Sequence, residues 1–426
     1  MENMPENMPG QAALADPGNG LRGNGLRYVA RQPILDLQGR VFGYELLFRN
    51  SLENSFQGDG ELATRTMLDN TVLFGLDKLT SGTLAFVNCT HEALTQTLVG
   101  VLPPQQTILE ILEDLEPTPD LIEACRRLKE AGFKLALDDF EWRPDLQPLV
   151  ELADFIKVDI LKTPEPEWRK LMHQVRESRL PITMLAEKVE SYEAFEVVRA
   201  AGFTLFQGYY FCRPVLLKTR AIPANHLSHI EILRLLGESP LDMERLATAV
   251  KRNASLTYRL LRLVNSPFYA MRQEVRSVKT ALVAIGEEAF RRLATLAIAS
   301  EMNSGQSIEL LRMAFVRARF CELASEAVRM DATEQYLVGL LSLLPAMLRV
   351  PMKDLLPSLP LREEVHEALL GEDVPEGRLL RWIEGCEQGD WNICDKQSDG
   401  DIALEKQLHD DYHEALLWAE QTLPFA

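Results

Sequence analysis

Two adjacent aspartates, Asp138 and Asp139, close the apolar run of "LALDDFEWRPDL". Side by side at the mouth of a buried strand, each carboxylate makes the other costlier to ionise unless a cation sits between them. A divalent metal would neutralise the pair; the plainer alternative is a turn with a helix N-cap, where Asp is common. Polar residues recur where other apolar runs end: Glu45 in "GYELLFR", Asn88 in "AFVNCT", Glu110 in "ILEIL", Lys157 in "FIKVDI", Glu187 in "LAEKV" and Gln207 in "LFQGYYF". Singly, each has a bland reading, with Lys157 a surface partner of Asp159 and Gln207 a satisfied turn residue. Jointly they make an oxygen-rich set without His or Cys, which suits Mg²⁺ or Mn²⁺ rather than zinc. Two such ions activate a water and brace the oxygens of an in-line displacement at phosphorus.

Elements able to bring these residues together are written in the same stretch. "RYVARQPILDL", "VFGYELLF", "LAFVNCT", "TILEIL", "KLALDDF", "FIKVDI", "ITMLAEKV" and "LFQGYYF" are short and apolar, and helical patterns such as "PDLIEACRRLKEAG" separate the later ones. The first two are joined by the hairpin-like "LQGR". This order predicts an α/β, TIM-like barrel with an antiparallel first strand over residues 26–218, in which strand ends converge at one rim. Pattern alone leaves an open α/β sheet as the alternative. Residues 1–25, rich in Gly, Asn, Pro and Met, read as a flexible tail. From 219 to 426 the spacing is helical throughout, predicting an all-α domain; "ESPLDMERLATAVKR" is expected to start a helix with Ser239 as N-cap and Pro240 at the first position.

The 426 residues carry a net charge of −18, which argues against nonspecific binding to nucleic acid or an anionic membrane. The six cysteines are scattered with no C-x-x-C pair, so neither a disulfide framework nor a thiolate metal site is expected. With no apolar run of membrane-spanning length and no secretory signal pattern, a cytoplasmic protein is expected.

Together, "RQPILD", "GYELLFR", "VNCT", "EILE", "LDDF", "IKVD", "LAEKVES" and "FQGYYF" resemble the EAL domain, the bacterial cyclic di-GMP phosphodiesterase module, with Glu45-Leu46-Leu47 at its signature position. "LVNSPFY" followed by "RSVKTALVAIG" resembles the HDOD domain, a signalling or partner-binding module. The resemblance implies a cyclic di-GMP signalling protein with a two-metal Mg²⁺ or Mn²⁺ site. Glu45, Asn88, Glu110, Asp138 and Asp139 would be metal ligands, and Lys157 and Glu187 would handle the attacking water. Gln207 would complete the shell, Arg49 would contact a ligand phosphate and Gln32 a guanine edge. Glu113 would anchor the loop after Asp139. Hydrolysis of cyclic di-GMP to pGpG is the implied reaction, with a catalytically inactive receptor or interaction scaffold as the alternative; a protein partner of the HDOD domain and a homodimer are further expectations.

Two departures from the family pattern stand out. Glu141-Trp142-Arg143-Pro144 replaces a glycine-rich segment, and Lys188 replaces the glycine after Glu187. Elsewhere, His409, Asp410, Asp411 and His413 in "LHDDYHE" read as a solvated face of a C-terminal helix, and His226 and His229 as capping or packing residues. Cys125 and Cys321 read as core.

Overall fold

The structure, a computed structural model, describes residues 28–49, 76–96, 98–210 and most of 229–422. The tail over 1–25 lies outside them. Eight strands close a barrel in sequence order: β1 (Tyr28–Asp36), β2 (Val41–Arg49), β3 (Leu84–Cys89), β4 (Thr107–Ile111), β5 (Lys134–Leu137), β6 (Phe155–Asp159), β7 (Thr183–Glu187) and β8 (Leu205–Gln207). β1 runs antiparallel to both β2 and β8, and the remaining pairs are parallel. Because β8 pairs with β1, the open-sheet alternative is excluded.

The antiparallel start follows from its turn. The Asp36 carboxylate accepts from the backbone N–H groups of Gln38 and Arg40, and Gly39 takes the left-handed conformation at φ 73°. The chain therefore reverses in place, whereas parallel strands need a crossover. Crossovers are supplied by helices including α1 (Leu76–Leu79), α2 (Pro119–Glu130), α3 (Glu165–Ser178) and α4 (Tyr192–Ala201). α2 buries Leu121, Ala124, Cys125 and Leu128, the i, i+3, i+4, i+7 stripe of a helix lying on a sheet.

Strand periodicity then places the polar residues. Side chains alternate across a strand, and Ile34, Phe86, Ile108, Ala136, Phe155, Leu185 and Leu205 form a separate apolar cluster inside the barrel. Gln32 lies two residues before Ile34 on the antiparallel strand. Asn88, Glu110, Asp138, Lys157, Glu187 and Gln207 lie two residues beyond the others, so all face inward one layer above that floor. On β2 the corresponding inward position is Gly43, where a Cβ would come within 2.7 Å of the Leu84 carbonyl and 3.2 Å of the Phe86 ring. Only glycine leaves room there for the packed Phe42, Phe86 and Phe155 rings, whose centroids lie 5.5–6.3 Å apart.

The rest of the described chain is helical, as expected. Its core surrounds α5 (Ile308–Ala324), with α6 (Ala332–Leu341), α7 (Arg378–Gln388) and α8 (Ile402–Thr422) packed nearby. Gly339 of α6 permits close helix approach, since a Cβ there would sit 2.3 Å from the Arg317 carbonyl oxygen. Buried Arg317 is neutralised by Glu387 at 2.6 Å and Glu384 at 2.8 Å. The helix expected to start at Ser239 instead spans Met243–Lys251 and is capped by Asp242, whose carboxylate accepts from the N–H groups of Glu244 and Arg245. Ser239 and Pro240 themselves lie outside the described residues.

"LHDDYHE" is a correction. His409 and Asp411 are buried, because α8 packs along α5 and turns that face toward aromatic residues. The His409 ring lies 4.8 Å from Trp382, and its Nε2 is 3.2 Å from Glu405, which also accepts from Trp382 Nε1. Burial pushes the Asp411 carboxyl up to about 6. Cys125 and Cys321 are buried, and Cys89, Cys125, Cys321, Cys386 and Cys394 are free thiols. Among the described residues no helix is long and apolar enough to cross a membrane.

Candidate active site

Lys157 stands at the centre of the rim. Its side chain has 0% exposure, and its Nζ lies 2.6 Å from Glu110 Oε1, 2.7 Å from Asp138 Oδ1, 3.0 Å from Glu187 Oε1 and 3.2 Å from Glu45 Oε2. Glu45 is the best satisfied of the four acids. Gln207 Nε2 donates to its Oε2 at 2.7 Å and Asn88 Nδ2 to its Oε1 at 3.1 Å. The same Gln207 amide donates to Gln32 Oε1 at 2.5 Å. The bland reading of Lys157 fails, because its neighbour Asp159 pairs instead with Lys188, at 2.5 Å, and accepts from the N–H groups of Leu161 and Lys162.

Four carboxylates round one ammonium leave an excess of three negative charges if all ionise, which a dry site resists. The acids divide accordingly. Burial opposes ionisation of Glu45, but Lys157 and the two amides overcome it and hold its carboxyl low. At Glu110 burial wins and the carboxyl is pushed well up. Burial likewise raises Asp138 and lifts Glu187 to about 8. Burial alone would lower the Lys157 ammonium, yet its four acids keep it charged far into the basic range.

The other sequence candidates are placed differently. Asp139 adopts φ 41°, a left-handed turn that Asp tolerates better than most residues. Its carboxylate lies 3.8 Å from Lys162 rather than against Lys157. The turn is no helix cap: Asp138 N–H donates to Ile111 and Phe140 N–H to Lys157 across the neighbouring strands. Glu113 is exposed and lines a cavity of about 130 Å³ together with Asp138, Asp139, Arg143 and Lys162. Arg49 ends β2, and its side chain lies outside the described residues. Lys162 was not signalled by the sequence pattern. It sits in a loop, three residues beyond the last residue of β6, where no period marks direction.

The departures also acquire geometry. Trp142 packs edge-on against Phe140 at 6.3 Å, and Glu141 lies 3.8 Å from Lys162. Lys188 sits at φ 53°, where glycine is unstrained and other residues are held about 1–2 kcal/mol uphill. With 57% of its side chain exposed, its bond to Asp159 offsets only part of that. Lys188→Gly should therefore be more stable than Lys188→Ala by about 1 kcal/mol, read by thermal denaturation of the metal-free protein; equal melting points would mean that the turn is unstrained.

As arranged round Lys157, no three Asp, Glu, His or Cys side chains among the described residues are set to hold an ion. The donor chemistry nevertheless fits a hard divalent cation. Glu110 Oε2, Glu187 Oε2, Asn88 Oδ1 and Gln207 Oε1 are buried and accept no hydrogen bond, the set is all oxygen, and its excess charge is negative. Glu110, Asn88 and Gln207, with Glu45 and Asp138, would hold such ions.

Comparison with known proteins agrees with this architecture. The EAL domain family matches residues 81–214 and the HDOD domain family residues 222–354. The chain is 32% identical to the uncharacterized protein YuxH of Bacillus subtilis over 93% of its own length and 98% of the relative's. It is 34% identical to the cyclic di-GMP phosphodiesterase CdgJ of Vibrio cholerae over 85% of each chain. A solved structure of Klebsiella pneumoniae BlrP1 with calcium and cy-diGMP is 25% identical, covering 44% of this chain and 55% of that one with a TM-score of 0.38. With its barrel followed by helices and with full-length relatives at this level, the chain belongs to the family of bacterial proteins that join an EAL domain to an HDOD domain.

Proposed function

We propose that the chain is a cytoplasmic cyclic di-GMP signalling protein. Its barrel binds the cyclic dinucleotide with two Mg²⁺ or Mn²⁺ ions and hydrolyses it to linear pGpG, and its helical domain serves as the output module toward a protein partner. The observation that carries this reading is the inward ring of Glu45, Asn88, Glu110, Asp138, Glu187 and Gln207 about Lys157. When bound, the divalent ions supply counter-charge and a polarised water. Glu187, whose Oε2 accepts no hydrogen bond in the ring, would take a proton from that water. Lys157 holds the acids converged and tempers their repulsion. Gln32 and Gln207 offer amide groups toward the ligand, where guanine and phosphate edges present donors and acceptors. Hydrolysis adds water across one phosphodiester: the water oxygen bonds to phosphorus, the P–O3′ bond breaks and a proton goes to the O3′ leaving group.

One observation favours a second reading, a receptor that binds without turnover. Asp139 faces Lys162 rather than the ring, and Glu141 lies 3.8 Å from the same lysine. A single experiment separates the two: purified protein is incubated with cyclic di-GMP and Mn²⁺, the products are separated by chromatography, and binding is followed by calorimetry with Ca²⁺. Accumulating pGpG establishes the phosphodiesterase, whereas binding with no product establishes the receptor. No binding with any divalent ion would reject both.

A further inference from the structure

We infer that Glu309 and Arg312 of the helical domain are positioning residues for the barrel site, acting through Tyr44 and Arg31; the inference rests on the proposed divalent-ion and cyclic di-GMP site. Alternation along the strands is the basis. Gln32 and Glu45 face the barrel interior as directly paired positions of β1 and β2, so the preceding residues, Arg31 and Tyr44, face out. Both outward residues are nevertheless buried, because α5 and α8 cover them.

The seam they enter is polar and largely buried. Tyr44 Oη donates to Glu309 Oε2 at 2.8 Å and accepts from Arg312 Nη1 at 2.7 Å. The Arg31 guanidinium lies 4.4 Å over the Tyr44 ring, donates to the Leu79 carbonyl at 2.7 Å and reaches Glu420 at 3.3 Å. Ser81 donates to Glu420 and accepts from Arg312 at 3.0 Å. Two guanidiniums and two carboxylates balance, so the network carries no excess charge. Directional bonds of this kind favour one register, unlike an apolar seam that tolerates sliding.

It also touches the β1–β2 turn and the segment before β3. Ser307, the N-cap of α5, donates to the Gly39 carbonyl in the β1–β2 turn at 2.6 Å. Ser81 and Leu79 belong to the segment leading into β3, whose Asn88 donates to Glu45. Ala30 of β1 is counted within the helical domain's own apolar core. A displacement of α5 is therefore passed through one peptide unit to Glu45, the acid that orders Asn88, Gln207 and Lys157. This is a mechanical coupling between two packed elements, and by linkage it acts in both directions.

The test uses full-length protein and reads the Mn²⁺ concentration that half-supports cyclic di-GMP binding. Glu309→Gln and Tyr44→Phe, which keep shape, should each raise that midpoint about three- to tenfold, and saturating Mn²⁺ should restore wild-type affinity for the dinucleotide. Arg319→Gln, on the same helix but paired with Glu322 and Glu414, should leave it unchanged. Unchanged midpoints in both seam variants would overturn the inference while leaving the proposed site intact; absence of any Mn²⁺-dependent binding by wild type would instead remove the site, and the inference with it. Should the variants unfold, hydrogen exchange on wild type decides: Mn²⁺ with cyclic di-GMP should slow exchange in Ile308–Ala324, and unchanged rates there would refute coupling.

Discussion

Lys157→Met should leave the metal-free protein about 3–5 kcal/mol less stable, with a melting point lower by on the order of 10 °C, and added Mn²⁺ should recover most of the loss. The ammonium is fully buried among four acids at 2.6–3.2 Å. Methionine fills much the same volume but provides no positive charge. Glu110, Asp138 and Glu187, already raised by burial, would take up protons to limit the repulsion, so the cost stays well below that of several bare buried charges. A divalent ion binding the folded state would supply the missing charge and stabilise by mass action, reaching about 4 kcal/mol at a thousandfold excess over its Kd. The Mn²⁺-dependent rise in melting temperature should therefore be larger in the variant than in wild type. A metal-free variant as stable as wild type would show that the lysine is not the counter-ion that lets these acids converge.

Much of this centre was legible because strand periodicity is simple. An apolar residue, one intervening residue and then a polar one at the end of a β-branched run specifies an inward-facing polar group above an apolar floor, as Phe155 and Lys157, or Ile108 and Glu110, display. What escaped depends on contacts that periodicity does not encode. Asp138 and Asp139 look equivalent in sequence, yet one joins Lys157 and the other points toward Lys162, because a single left-handed residue turns the second side chain away from the first. Arg31 and Tyr44 fall on the outward faces of β1 and β2. They are buried because their partners, Glu309, Arg312 and Glu420, arrive from helices more than two hundred residues later, a relation with no local signal. His409 and Asp411 were misplaced for the same reason: a helix bearing charges at several successive positions looks exposed until the face it presents to Trp382 is known.

Glu45→Ala should lower pGpG formation by on the order of 10³-fold, since it removes a ligand and an organiser together and several kcal/mol of transition-state stabilisation are at stake. Glu45 is the only ring acid that accepts from both side-chain amides, Asn88 and Gln207, while also pairing with Lys157. Truncation leaves those donors without their acceptor, yet it also removes one of four mutually repelling carboxylates. The metal-free protein should therefore lose no more than about 1–2 kcal/mol, far less than with Lys157→Met, and that difference in size distinguishes the two changes. Glu187→Gln completes the comparison. It keeps the shape of the rim and removes the proton acceptor, so hydrolysis should fail while Ca²⁺-supported binding of cyclic di-GMP persists; Glu45→Ala should weaken both. Turnover in either variant equal to that of wild type would assign the activity to a contaminant. Loss of Ca²⁺-supported binding in Glu187→Gln would move Glu187 from proton transfer to ion ligation, in a ring whose acids then share one task.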